Sequence, residues 1–307
     1  MALFSILLLV GSSAAASSTS APELDCVNAD MTLLQKGLHV KALQEPHAKP
    51  WDIHLYLVGA HHIAGGNLNR KIMKWAFDFL GANYSCQQHS YQVQTLTTVG
   101  GRHKCNESPD CRIHWDSSLS LDVVQEKRKL AGSSELKAIQ SIMNPVMMLV
   151  SSYCYHHRGE QPLHPVATFP DIMSMGPLEG MKDVFPGMLK IVHEMVRIYD
   201  ATEDDMYNSR LEDLMESSAS FDASVKRIFD HMFGDLITSE QHEQIRELAK
   251  AEDVNRGAKN GRTAHDDNHT QSDCENVALE VLLKHAWMYE PLQKLAEHIG
   301  YAQADST

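Results

Sequence analysis

The stretch Trp51-Asp52-Ile53-His54-Leu55-Tyr56-Leu57-Val58 decides how the rest of the chain is read. It alternates and is rich in β-favouring side chains, so it predicts a first strand. Period two sends Ile53 and Leu55 to one face and Asp52, His54 and Tyr56 to the other. Outward from it, Leu68, Ile72, Trp75, Ala76 and Phe79 recur at helical spacing until Gly81, which predicts a helix over residues 67–80. Residues 91–99, rich in Thr and Val before Gly100-Gly101, predict a second strand, and the alternation over 112–124 predicts a third. A short helix over 134–143, ended by Asn144-Pro145, and an apolar strand over 146–150 complete a βαββαβ order.

That order is the ferredoxin-like split βαβ pattern, in which both helices cover one face of a four-stranded sheet and the first and third strands are central. His54 and His114 then share the open face of neighbouring strands about 4.8 Å apart, near enough to bind one metal ion or one substrate. The texture changes after Pro162. A Pro-, Gly- and Met-rich connector over 162–187 precedes helix candidates at 188–199, 206–215, 223–233 and 239–251. Ser272-Asp273-Cys274-Glu275 reads as a capping box opening a last helix, and residues 253–271 as a polar loop. The expected architecture is therefore α+β: a ferredoxin-like domain over 50–161, the connector, and an α-helical extension over 188–307.

Residues 1–21 read as a secretory leader, with the apolar run Leu3 to Val10 followed by Ala14-Ala15-Ala16, and 22–49 as an N-terminal segment. No later stretch has the apolar length of a membrane span. Sequons at Asn83, Asn106 and Asn268 fit export, and the 6 Cys suit disulfides in an oxidising compartment, Cys105 with Cys111 being the nearest local pair. The chain is thus expected to be a secreted or lumenal glycoprotein. Zinc thiolate sites are disfavoured because no C-x-x-C occurs. The 307 residues carry 27 Lys and Arg against 40 Asp and Glu, a formal charge of -13, which excludes a protein that binds nucleic acid by neutralising phosphates. The 18 His make that charge sensitive to acid.

Serine nucleophile elbows and phosphate loops are absent, so chemistry points to imidazoles. Trp51-Asp52-Ile53-His54-Leu55-Tyr56 resembles the D-I-H-x-Y opening strand of the DOPA 4,5-dioxygenase family. His114-Trp115-Asp116 sits where that family has its P-H-P segment, and residues 145–150 resemble its final strand, with Ser151 at the third histidine. The likeness covers roughly residues 50–159. It implies a metal-dependent oxidoreductase that opens a small catechol ring with dioxygen. Fe(II), or another divalent metal, is held by His54 and His114, with a third group from Asp52, Asp116, His156 or His157 and with Tyr56 or Arg158 positioning substrate. The rival expectation is a non-enzymatic secreted binding protein with a degenerate metal site. Two His pairs, His61-His62 and His156-His157, are further candidates, but adjacent residues on a strand face opposite ways, so one pair does not readily supply two ligands. His265 and His269, in the polar loop, read as solvated, and the Met-rich run from Met173 to Met195 as core filling.

Overall fold

The computed structural model describes residues 48–82, 87–92, 102–105, 111–160, 166–257 and 273–302. Pro50, at the first helical position, starts a single turn, α1 (Pro50–Ile53), and the Asp52 carboxylate accepts the Lys49 backbone N–H at 3.0 Å. Strand β1 (Leu55–Gly59) therefore begins after His54, later than the alternation of residues 51–58 implies. The chain continues through α2 (Gly66–Phe79), β2 (Gln87–Gln92), β3 (Arg102–Cys105), β4 (Ile113–Asp116), α3 (Leu121–Ala131), β5 (Leu136–Ile142) and α4 (Pro145–His157). Then come α5 (Pro177–Asp200), β6 (Met206–Arg210), α6 (Leu211–Met215), α7 (Ser218–Phe233), α8 (Ser239–Ala249), α9 (Val254–Gly257), α10 (Asp273–Leu283) and α11 (Ala286–His298).

The expected mixture of helix and strand is present, but the ferredoxin-like arrangement is not. The six strands lie in the order β3-β2-β4-β1-β5-β6. β1 pairs in parallel with β4 and β5, β2 with β4, and β5 with β6, while among the described strands only β2 and β3 are antiparallel. Three local signals account for the difference. Ser120 caps a helix by accepting the Val123 N–H, so the expected third strand stops at Asp116 and residues 121–131 are helical. Asn144-Pro145, expected to end a helix, starts one: the Asn144 side chain accepts the Val146 N–H at 2.9 Å and Pro145 sits in the first turn. Residues 136–142, expected as helix, form β5, where burial on both faces outweighs the helix propensity of Leu, Lys, Ala and Gln.

Both faces of the sheet are covered, as a parallel sheet requires. Tyr56 and Val58 pack with Phe77 of α2 and Phe229 and Phe233 of α7; Leu55 and Leu57 pack on the other side with Val123 and Val124 of α3 and Ile198 of α5. No open face remains for His54 and Tyr56. A further apolar core, off the sheet, joins α4, α5, α10 and α11 through residues such as Leu149, Met188, Leu282 and Leu292. A disulfide, Cys154–Cys274, links α4 to α10 across this core.

All the described residues fall within one unit, Glu45–Thr307. β6, drawn from the expected helical extension, completes the sheet beside β5. The C-terminal part of the expected connector is already the first turns of α5. Helices α7, α8 and α10 form close to where their periodicity and capping signals place them. Among the described residues no helix is long and apolar enough to cross a membrane. The leader, the three sequons, the 258–271 part of the polar loop and the Cys105–Cys111 pairing lie outside what the structure describes.

Candidate metal centre

The structure does not bring His54 and His114 together. His54 caps the end of α1, ahead of β1, with Nδ1 3.8 Å from the Glu135 carboxylate, and burial holds its pKa below the ordinary value despite that carboxylate. Its ring lies edge-on to Tyr56, on the α7 side. His114 is paired in register with Leu57, on the α3 side, so the sheet separates the two imidazoles. His114 is buried, and its pKa is pushed down to about 3, first by burial and then by Lys127. Among the described residues its Nε2 has no hydrogen-bond partner.

The other residues expected around that pair are also placed elsewhere. Tyr56 is enclosed, packed edge-on against Phe77 with Phe233 on another side, and burial raises its pKa. It is a core residue whose hydroxyl has no hydrogen-bond partner among the described residues, not a substrate-facing one. Arg158 caps the C-terminus of α4 and pairs with Glu160 at the surface. His157 turns away from the sheet, tilted on Tyr153, with Nδ1 3.1 Å from the Ile172 carbonyl. Asp52 is used in capping α1, and Asp116 Oδ1 accepts the Ser118 N–H at 2.8 Å.

What the fold does assemble lies at the C-terminal edge of the parallel strands, where open α/β sheets ordinarily place their ligands. β1 ends at Gly59, and the loop to α2 carries His61 and His62 before Gly65 caps the helix at φ 76°. Ile63 lies in the same left-handed region, at φ 69°, a conformation costing a β-branched residue about 1–2 kcal/mol. Gly66 has no room for a side chain, since an added Cβ would meet that of Ala60. These restraints fix a tight turn, with the Ala64 N–H on the His61 carbonyl, and they split the two histidines.

His61 folds inward. The Gln140 amide donates to its Nε2 at 3.0 Å and to the Met195 carbonyl at 2.8 Å, which makes the imidazole an acceptor and hence neutral. Burial agrees, pushing its pKa down to about 3. His62 turns the other way, to the last turn of α4. Its Nε2 is 3.1 Å from Nε2 of His156, the ring centroids are 5.1 Å apart and the planes are inclined by 23°. Tyr155 stands edge-on to both rings. His156 is buried, and His62 is half-buried.

The arrangement has a simple chemistry. Metal–imidazole bonds of about 2.0–2.1 Å meeting at a tetrahedral angle put the two donor nitrogens about 3.3 Å apart, and a slightly closed angle gives the observed approach. The same pair without metal is an imidazole–imidazole hydrogen bond between opposite tautomers. Among the described residues no group of three or more His, Cys, Asp or Glu forms a complete metal site, so this pair is a two-nitrogen cradle.

The sequence offers both rings of the cradle, His156 as a metal ligand and His62 within the His61-His62 pair, without joining the two. The signal that joins them is the duplication itself: each His-His pair contributes one ring to the cradle and sends its neighbour elsewhere. Searches against protein-family models and curated proteins find no match to the chain.

Proposed function

We propose that this chain is a metal-binding protein of the secretory route and that His62 and His156 hold the ion. One observation carries the reading: the 3.1 Å approach of two Nε2 atoms from residues 94 apart in sequence, at the C-terminal edge of a parallel sheet. Imidazole donors favour zinc, copper, iron or nickel over calcium or magnesium. Among the described residues the ion would meet these two nitrogens, and a Lewis-acid or dioxygen-activating centre keeps a coordination position for water or a small ligand. The disulfide between α4 and α10 suits an oxidising compartment.

Oxidative opening of a small catechol is the reaction implied by the resemblance over residues 50–159, and in this proposal it runs at His62 and His156, not at His54 and His114. The rival is metal binding without turnover.

The test is metal content by mass spectrometry on the purified protein and four single variants. One ion per chain is expected in wild type, His54→Ala and His114→Ala, and loss of the ion in His62→Ala and His156→Ala. A wild-type protein that takes up no stoichiometric zinc or iron, or retention by both cradle variants, would refute the reading. Catechol consumption by iron-loaded protein then separates enzyme from binder.

A further inference from the structure

Helix α4 is held from two sides. Toward the β1–α2 loop it presents His156, and toward α10 it presents Ser151 and Cys154, three residues apart and so on one face. Cys154 is bonded to Cys274, and Ser151 Oγ donates to the buried Glu275 carboxylate at 2.9 Å. Both links arrive from the first turn of α10, through consecutive residues. Cys154 is fully enclosed and lies two residues before His156, in the same last turn of α4. The covalent link therefore stands directly behind a proposed metal ligand.

We propose that the Cys154–Cys274 disulfide controls metal retention: the oxidised protein keeps the ion on His62 and His156, and reduction weakens its hold. This rests on the metal-binding reading above. The step is thiol–disulfide exchange with a dithiol reductant. The S–S bond breaks, Cys154 and Cys274 each become a thiol, and the reductant gives up two electrons and two protons to become a disulfide itself. Breaking any S–S bond moves its sulfurs from bonding to van der Waals separation, roughly 1.5 Å further apart. In a close-packed core that displacement reaches the backbone of the last turn, whereas a preorganised ligand pair tolerates about 0.5 Å. Ala278 and Leu282 of α10 remain buried in the apolar core, so the fold outlasts the bond while the cradle loosens. Linkage makes the effect reciprocal: bound metal resists reduction by the same factor.

The experiment compares zinc titrations of the full chain as purified and after reduction with a phosphine removed under anaerobic conditions, with circular dichroism on both. One zinc per chain is expected in the oxidised protein, and at least tenfold weaker binding in the reduced protein with an unchanged spectrum. The double variant Cys154→Ala/Cys274→Ala should reproduce the weaker binding without reductant. Equal affinity in the two redox states overturns the inference, and so does tighter binding accompanied by thiolate-to-cobalt absorption when cobalt replaces zinc. If the double variant does not fold, Ser151→Ala decides. It cuts the other link and keeps the disulfide, so binding within twofold of wild type, still lost on reduction, supports the inference, and lost binding in its oxidised form overturns it. Oxidised wild type that binds no zinc refutes the metal reading itself and is distinct from every outcome above.

Discussion

Two pairs of histidines from non-consecutive parts of this chain invite the same chemical reading, and the fold treats them oppositely. His54 and His114 are separated by the sheet, one at the end of α1 and the other on β4 against α3. His62 and His156 come from a loop and a helix end, and their Nε2 atoms meet at 3.1 Å. The first pair looks convergent only if the sheet has an open face. The second depends on where β1 and α4 end, which strand periodicity does not register. Ligand geometry in a parallel sheet is set at the strand ends.

That contrast can be broken in stages, beginning with the largest effect. Tyr56→Ala removes a fully enclosed ring from the His54 region and should cost about 3–5 kcal/mol in chemical denaturation, with zinc stoichiometry unchanged in the surviving folded fraction. Loss of zinc at denaturant concentrations where the fold persists would place Tyr56 in the metal site after all.

The next effect is acid sensitivity. His114 has a folded-state pKa of about 3, below the ordinary 6.5, so between those values the unfolded chain binds a proton that the folded chain refuses. Its contribution to stability is full above pH 6.5 and declines as pH falls toward 3. The loss by pH 4 is about 3 kcal/mol at most. Denaturant melts of wild type and His114→Gln should diverge in this window, the variant showing the shallower decline; parallel curves would mean that His114 is not held neutral.

Third, His62→Ala and His156→Ala should each lower zinc affinity about a hundredfold, about 2.7 kcal/mol, while His54→Ala stays within twofold by competition titration. The smallest effect concerns the Tyr56 hydroxyl, which has no hydrogen-bond partner among the described residues. Tyr56→Phe should be neutral or stabilising by up to about 1 kcal/mol. A clear destabilisation would reveal a buried partner, such as an ordered water.

Some of this was legible in the sequence. Helix α2 follows from the spacing of Ile72, Ala76 and Phe79, and α7, α8 and α10 from period and capping. The opening strand was read correctly in kind, although Pro50 and Asp52 divert its first residues into a helical turn. The errors cluster where an element is buried on all sides. β5 and α4 are buried nearly all round, polar residues such as Gln140, Ser141, Ser151 and Ser152 included, so neither a period of two nor one of 3.6 marks them, and Asn144-Pro145, which reads as a helix stop as readily as a start, is what separates them. The helix expected over 134–143 is then a strand and the strand expected over 146–150 a helix, and the ferredoxin-like sheet inferred from them goes with that exchange. The cradle is half legible: the sequence offers His156 and the His61-His62 pair, but their meeting depends on a loop in which Ile63 and Gly65 take left-handed backbone, a conformation no side-chain pattern announces.

β6 has a practical consequence. The outer partner of β5 is supplied by Met206–Arg210, from beyond the 24-residue α5. A fragment ending near residue 161, where the expected ferredoxin-like domain ends, would leave the backbone amides and carbonyls along one side of β5 unmet. Such a naked border recruits strands from other molecules. The shortened protein would be expected to precipitate or form ladders of copies on expression, and recombinant work should carry the chain through β6 at least.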